Sequence, residues 1–291
     1  MPDPAGTPAQ SWFGRFLARF GSQDAPSRPV FLVGCGRSGT TILGTVLGRH
    51  PQITYLNEPR DLWTKAYPQT DIWSAEAGAR RGRMRLTAAD ATPAQTRALR
   101  AAFAREVRRS GRPQLVEKLP INAFRLEFIQ AAFPDARFLV LLRNGIEVAR
   151  SIERECARGA WYGADDYKWM QLAAYADARP ETRGLPARCR TPYERGLLEW
   201  RLSVDAALTF AATLPPARRL QVTYESLVED PGGTIAVIER FIGVPEDAGV
   251  HAFAAKEIGR RSPEAAAGTI PVGTPDLAGP LLDRLGYAVQ P

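Results

Sequence analysis

The stretch Val30-Phe-Leu-Val-Gly-Cys-Gly-Arg-Ser-Gly-Thr-Thr41 constrains this chain more than any other. Val30 to Val33 is a short apolar run rich in β-formers and reads as a buried strand. Gly34, Gly36 and Gly39 open a loop, and Ile42, Leu43, Val46 and Leu47 then recur at helical spacing, so a helix begins near Gly39 or Thr40. Strand, glycine-rich loop and helix in that order aim backbone N–H groups and a helix N-terminus at an anion. The loop nearly matches the phosphate-binding pattern G-x-x-x-x-G-K-[ST]. Gly34 and Gly39 hold its glycine positions and Thr41 its hydroxyl position, but Thr40 stands where lysine belongs, and Arg37 brings positive charge from inside the loop. A nucleoside triphosphatase needs that lysine on the phosphates. Its loss argues against triphosphate hydrolysis and leaves the binding of a different phosphorylated nucleotide, or a tight strand-to-helix turn with no ligand.

Downstream, apolar runs and helical periods alternate. Pro51 stops the first helix near His50, which reads as a capping cation. Ile53 to Leu56 reads as a second strand that delivers Asn57-Glu58-Pro59-Arg60 at its end. Thr92-Pro93 starts a helix to about Arg109. Gln114 to Lys118 reads as a strand, with Asn122 placed to cap the helix through Ala132. Ala136 to Leu142 is the clearest internal strand; Arg143-Asn-Gly145 follows at once, then a helix from about Ile146 through Ser151. Tyr193 to Ala212 forms a long helix, Arg219 to Thr223 a final strand, and Thr234 to Ile242 a further helix. This alternation predicts an α/β fold, a mainly parallel sheet covered by helices. Ligands of such sheets collect beyond the carboxyl ends of the strands, which brings Glu58 to the loop's anion. The 60–92 excursion, with Trp63, Tyr67, Trp73 and the basic run Arg80 to Arg85, either shapes a substrate mouth or is a surface loop with solvated arginines. The aromatics Trp161, Tyr162, Tyr167, Trp169 and Tyr175 either line an acceptor pocket or form the core of a small helical lobe. The Gly/Pro-rich stretch from Ser262 to Pro275 is expected to loop back over the site.

With 291 residues and 45% hydrophobic content the chain can bury a substantial core. It divides into an N-terminal extension, residues 1–28, and one α/β domain, residues 29–291. The extension reads as disordered apart from Trp12 to Phe20, whose apolar helical face with interspersed arginines suits docking on the domain, on a partner or peripherally on an anionic membrane. The net charge of +7 suits an anionic ligand, and with no nucleic-acid signature beside it no nucleic acid is expected as a partner. Three scattered cysteines make neither a disulfide framework nor a zinc site, and only two histidines are present. No metal is expected, and a reducing cytoplasm fits. Cys35 lies in the loop, where N–H groups can lower a thiol pKa, but with no cysteine-enzyme constellation around it, it reads as a small loop residue. No apolar run is long enough for a membrane span, and the N-terminus lacks a signal-peptide core. The Ala/Arg-rich composition is of the kind associated with GC-rich bacterial genomes. The sequence sets no oligomeric state.

Three separated segments resemble one family, the sulfotransferases that use 3′-phosphoadenosine 5′-phosphosulfate (PAPS). The stretch Pro29 to Leu47, with its Arg37-Ser-Gly-Thr-Thr41 core, is similar to their 5′-phosphosulfate loop. Phe138-Leu-Val-Leu-Leu-Arg143-Asn-Gly-Ile-Glu-Val-Ala-Arg-Ser151 resembles their 3′-phosphate segment, with Asn144 where many members have Asp. Val222-Thr-Tyr224-Glu-Ser-Leu resembles a third common stretch. The resemblance covers roughly residues 29 to 243 and implies a P-loop NTPase-like sulfotransferase fold. It also implies that Gly36, Arg37, Ser38, Gly39, Thr40, Thr41, Arg143, Ser151 and Tyr224 bind the nucleotide. Glu58 matches a subset, including tyrosylprotein and several bacterial sulfotransferases, in which a glutamate after the second strand is the general base. Lys118, in Glu117-Lys-Leu-Pro120, resembles a lysine of the same subset that contacts the transferring sulfonate. Ser262, in Gly259-Arg-Arg-Ser262, resembles a late serine that touches it, although the lysine such enzymes carry farther on has no counterpart after Lys256.

The resemblance therefore implies metal-free transfer of a sulfonate from PAPS to an acceptor hydroxyl, with adenosine 3′,5′-bisphosphate released. Glu58, Lys118 and Arg37 form the catalytic set, with Lys118 and Arg37 stabilising developing charge. Two other classes stand beside it: a small-molecule kinase or NTPase, and a non-catalytic nucleotide-binding protein. The acceptor's class (phenol, sugar, lipid, peptide tyrosine or secondary metabolite) is left open.

Overall fold

The computed structural model describes residues 27–159, 161–258, 271 and 273–287. Trp12 to Phe20, Ser262 and most of the stretch from 262 to 275 lie outside the described residues. Five strands, β1 (Val30–Val33), β2 (Ile53–Asn57), β3 (Gln114–Lys118), β4 (Arg137–Leu142) and β5 (Arg219–Thr223), form one parallel sheet in the order β2-β3-β1-β4-β5. Ahead of β5 run α1 (Thr40–Leu47), α2 (Arg60–Ala66), α3 (Pro93–Ser110), α4 (Leu126–Ala132), α5 (Gly145–Cys156), α6 (Tyr167–Asp177) and α7 (Pro192–Ala212). After it come α8 (Tyr224–Glu229), α9 (Pro231–Ile242), α10 (Ala248–Ile258) and α11 (Thr274–Arg284). The α/β fold is the one expected, and all five strands start and end within a residue of their sequence pattern.

The two-residue period of the strands sorts their side chains between two helical layers. Val30, Leu32, Val116, Leu139 and Leu141 face α1, α9 and α10, against Leu43, Val46, Ile235 and Ile238. Phe31, Val33, Leu115, Phe138 and Val140 face the other layer, against Trp63, Phe103, Phe128, Val148 and Trp200. Phe31 lies at the middle of an aromatic group, with ring centroids 5.4 Å from Phe133 and 6.0 Å from Phe138. Burying each such ring stabilises the fold by about 1.5–3 kcal/mol.

Strand order also places the site. From central β1 the chain goes to β2 and β3 on one side and later to β4 and β5 on the other. The switch point therefore lies at β1, the crevice where open α/β sheets hold ligands. β1 carries the glycine loop, β3 ends at Lys118 and β4 runs out into Arg143, so the loop is flanked by a cation from each neighbour.

Several local expectations differ from the structure. His50 is buried and does not act as an exposed capping cation. Its Nδ1 accepts from the Gln52 N–H at 3.0 Å, so Nε2 carries the proton donated to the Pro245 carbonyl at 2.9 Å. Asn122 does not cap α4. It sits in a short 3₁₀ turn, Pro120–Phe124, and its amide donates to Glu117 at 3.3 and 3.4 Å. Helix α11 begins at Thr274, inside the stretch expected to be loop, and packs on α7 with the Tyr193 hydroxyl 3.1 Å from that of Thr274. No helix among the described residues is long and apolar enough to cross a membrane.

Glu117 ties the strand carrying Lys118 to the helix that follows Glu58. It is completely buried, and its carboxyl accepts from the Trp63 indole N–H at 2.8 Å. Burial pushes this carboxyl up to about 8 against the opposing pull of Trp63, Asn122 and Lys118, with the Glu58 charge adding to the rise. A folded-state pKa raised above the unfolded value gives stability that is full below about pH 4 and lost as pH rises through about 8. Glu117→Gln is expected to keep the Trp63 hydrogen bond and flatten that decline. Thermal midpoints measured from pH 5 to 9 check this, and a wild-type midpoint that does not fall relative to the variant rejects it.

Candidate active site

The loop after β1 is built as an anion cradle. Arg37 and Gly39 both take left-handed backbone, with φ of 71° and 95°. Gly39 is required there for a second reason: a Cβ on it would stand 2.5 Å from the Tyr224 ring, which packs beneath the turn. The first bond of α1 runs from the Leu43 N–H to the Gly39 carbonyl at 3.1 Å, and no side chain caps the helix. The N–H groups of Thr40, Thr41 and Ile42 are thus left for a ligand. Thr40 is 2% exposed. Among the described residues the buried Ser38 hydroxyl has no hydrogen-bond partner.

Lys118 and Glu58 meet beside this cradle. Lys118 is completely buried at the end of β3, on the α1 side of the sheet. Its ammonium donates to the Thr41 hydroxyl at 2.9 Å and to Glu58 Oε1 at 2.8 Å. Glu58 follows the last residue of β2, its N–H donating to the Lys118 carbonyl at 2.7 Å, and its φ of 47° is a conformation non-glycine residues rarely take. Such backbone persists only where surrounding contacts over-determine it, and it concentrates at functional sites. Glu58 Oε2 also pairs with Arg60 at 2.7 Å, and the Arg60 guanidinium stacks 4.1 Å from the centre of the Trp73 ring. Burial alone would raise the Glu58 carboxyl. The Lys118 hydrogen bond and the charges of Lys118 and Arg60 outweigh it and hold the carboxyl below its ordinary value.

Arg143 and Ser151 lie on the opposite flank. Arg143 donates to the Arg37 carbonyl at 3.2 Å, and its guanidinium sits 4.3 Å over the Tyr224 ring. Ser151, on α5, accepts from Arg37 Nε at 3.1 Å, and Glu155 pairs with the same guanidinium at 3.3 Å. The Arg37 side chain therefore reaches toward Ser151 and Glu155 rather than toward Lys118 and Glu58, the pair with which the family resemblance grouped it. Tyr224 joins the two flanks, touching both Gly39 and Arg143. Asn144 caps α5 with its side-chain oxygen at 2.9 Å from the Ile146 N–H, a role Asp fills equally well.

The remaining expectations divide. Arg80 pairs with Asp71, Arg83 with Asp90 and Arg85 with Glu127, so three arginines of that basic run are engaged by carboxylates of their own surface. Burial pushes the Cys35 thiol up, with Glu199 adding to the rise, so burial outweighs any lowering by loop N–H groups and Cys35 is the small loop residue its sequence context suggests. The aromatics of 159–192 are mostly lobe core: Tyr162 meets Trp169 at 5.5 Å and Tyr175 meets Phe124 at 4.9 Å. Trp161 is the exception, for its ring lies on the loop at Gly36. Sequence reasoning also missed Glu225, which accepts from the Asn144 N–H at 2.9 Å and from the Tyr287 hydroxyl at 2.8 Å, and Trp200, whose indole donates to the Arg143 carbonyl at 3.0 Å. Glu225 was legible as the neighbour of Tyr224 in the third segment; Trp200 carried no such signal.

Fold and site together define an α/β protein with an anion cradle at the switch point of a parallel sheet, flanked by a lysine–glutamate pair and an arginine–serine pair. The model of the Sulfotransferase family matches residues 29–248. The chain belongs to that family. It is similar to protein-tyrosine sulfotransferase 2 of Gallus gallus, at 25% identity over 218 residues, 74% of this chain and 51% of the relative. It is also similar to protein-tyrosine sulfotransferase 1 of Danio rerio, at 26% over 227 residues, 76% of this chain and 55% of the relative. The chain thus spans about half the length of these relatives. Among solved structures, the sulfotransferase domain from the curacin biosynthetic pathway aligns with a TM-score of 0.53 at 15% identity, covering 91% of this chain and 100% of that one. The corresponding domain of the Synechococcus PCC 7002 olefin synthase aligns with a TM-score of 0.53 at 19% identity, covering 92% and 97%. Both likenesses concern the fold.

The Lys118–Glu58 pair is asymmetric, and its stability response follows. The Lys118 side chain is 1% exposed, whereas that of Glu58 is 30% exposed and keeps Arg60 as a second partner. Glu58→Ala strands a buried ammonium and is expected to cost about 2–4 kcal/mol. Lys118→Met leaves a carboxylate that still has water and Arg60, and costs less. Urea unfolding of both variants and of the double variant checks this; an equal or reversed order contradicts it.

Proposed function

We propose that the chain transfers a sulfonate from PAPS to an acceptor hydroxyl. The observation that carries this reading is the buried Lys118 ammonium, bonded at once to Thr41 of the anion loop and to Glu58. A cradle of free N–H groups, flanked by Lys118 on one side and Arg143 on the other, suits a ligand with anionic groups at two places. The donor's 5′-phosphosulfate fits the cradle, with Gly36 to Thr41 around it. Its 3′-phosphate fits Arg143, Ser151 and Arg37, since a planar guanidinium binds phosphate bidentately. The donor supplies an activated sulfur. The acceptor oxygen bonds to that sulfur as the bond to the bridging oxygen breaks, the acceptor proton passes to Glu58, and adenosine 3′,5′-bisphosphate departs. Lys118 is within reach of the loop and meets the charge that develops there. Arg37 is assigned to nucleotide binding in the first place, because its present partners are Ser151 and Glu155. The relatives' names make a phenolic hydroxyl on tyrosine the first acceptor to screen. Three unpaired cysteines suit a reducing compartment, and we assign the cytoplasm.

Calorimetric titration with adenosine 3′,5′-bisphosphate tests the donor site. Metal-independent binding is expected, weakened roughly tenfold or more in Arg143→Ala, the loss of a charge-assisted bidentate contact. Binding of ATP with Mg²⁺ in its place returns the kinase reading.

The base has its own signature. Glu58→Gln is expected to bind the bisphosphate normally and lose about 10²–10⁴-fold in turnover. In the free enzyme Lys118 and Arg60 hold the Glu58 carboxyl down. The acid limb of kcat/KM, which falls as Glu58 takes up a proton, therefore lies below the ordinary value of about 4.3. Arg60→Ala removes one of those charges and is expected to move the limb upward; an unmoved limb excludes Glu58 as the group being titrated.

A further inference from the structure

One side chain outside the proposed reaction touches the donor loop, and its own environment is unusually costly. A Cβ on Gly36 would stand 2.9 Å from Cζ2 and Cη2 of Trp161, so loop backbone and indole are in direct contact with no room between them. The indole is held from behind. Its Nε1 donates to Glu199 Oε2 at 2.9 Å, and Glu199 Oε1 accepts from Lys168 Nζ at 2.6 Å. The same ammonium lies 4.3 Å from the centre of the Trp161 ring. The side chains of Lys168 and Glu199 are 6% and 4% exposed. A buried ion pair contributes little net stability compared with apolar residues of the same volume, so what this one touches matters more than its own energy. Here both members of the pair meet the Trp161 indole, the ammonium also lying 5.4 Å from the centre of the Tyr162 ring, and the indole abuts the loop. The intervening chain is held too: the Ala164 N–H donates to the Trp73 carbonyl at 3.0 Å, and Gly163, Asp165 and Asp166 take left-handed backbone with φ of 82°, 51° and 57°. That run returns the chain so that Trp161 and Lys168 reach one carboxylate.

We infer that Trp161 is a positioning residue for the donor loop, braced by the Glu199–Lys168 pair. By fixing Gly36 it fixes the direction of the N–H groups that follow, and preorganised donors act on an anion in proportion to their alignment. The inference rests on the donor-site reading above, and its test separates the two. Adenosine 3′,5′-bisphosphate is titrated calorimetrically into the full chain as wild type, Trp161→Phe and Glu199→Gln, with thermal unfolding of each alongside. Trp161→Phe keeps an aromatic side chain but loses both the N–H and the outer ring atoms that touch Gly36, and is expected to weaken bisphosphate binding about tenfold. Glu199→Gln keeps an acceptor oxygen but loses the charge that holds Lys168, and falls between. In turnover the loss appears in the KM for PAPS rather than in kcat. Wild-type tryptophan fluorescence is expected to change on bisphosphate binding, and the change to shrink in Trp161→Phe. Folded variants that bind the bisphosphate as tightly as wild type overturn the brace and leave the donor site standing. A wild type that binds no bisphosphate overturns both. Should Trp161→Phe fail to fold, Glu199→Gln and the fluorescence change decide in its place.

Discussion

A lysine ammonium with no exposed surface must find oxygen atoms in place of water, and the site is arranged around how Lys118 does so. Its two partners come from different elements, Thr41 from the helix after β1 and Glu58 from the turn after β2. Both elements are thereby drawn to the end of β3. Glu58 accepts the bond from a left-handed backbone, and that turn is held by the Lys118 carbonyl, by Arg60 and, through α2, by the Trp63–Glu117 hydrogen bond. Adjacent residues of one strand thus serve opposite faces of the sheet. Glu117 secures the helix layer behind Glu58, and Lys118 meets the loop in front of it.

The second flank follows the same logic from β4 and β5. Arg143 leaves the sheet with its guanidinium over Tyr224, and Tyr224 occupies the space that only a glycine at position 39 leaves open. Glu225, the next residue, grips the backbone at Asn144 where α5 begins. The Tyr-Glu pair therefore has a physical task on each residue: one supports the turn of the loop, the other fixes the start of the helix that carries Ser151.

What could be read in the sequence was what depends on local pattern. Strand ends, the loop, the long helix from Tyr193 and the approach of Glu58 to the loop all follow from apolar period, glycine placement and the rule that ligands gather at carboxyl ends, while the place of Lys118 at the site comes from the family resemblance. What could not be read depends on distant partners. His50 looked like a helix cap because the carbonyl of Pro245 lies 195 positions away. Cys35 reads correctly as a small loop residue, but nothing local announces that burial and the Glu199 charge push its thiol up. Trp161 was one aromatic among five, and only tertiary structure separates the ring on the loop from the rings in the lobe. The place of Arg37 in the loop says nothing of its side-chain partners, Ser151 and Glu155 on α5.

The missing lysine of the phosphate-binding pattern has a structural answer. In that pattern the cation comes from the loop's own helix, at the position Thr40 occupies here. Thr40 is buried, its Cγ2 3.5 Å from where a Cβ on Gly34 would stand, so this position has become part of the packing under the loop. The positive charge beside the loop is provided by Lys118 from the neighbouring strand, bonded to Thr41, the next residue of the same helix. An anion held there meets a cation from outside the loop, and that cation is shared with a carboxylate. A lysine within the loop would neutralise the ligand and do no more. A lysine on β3 also helps hold the Glu58 carboxyl below its ordinary value, so any ligand that draws on Lys118 alters the carboxylate beside it. Placing the cation on a separate strand thus links the anion cradle to the candidate base through a single ammonium group, a connection the lysine of the ordinary pattern does not make.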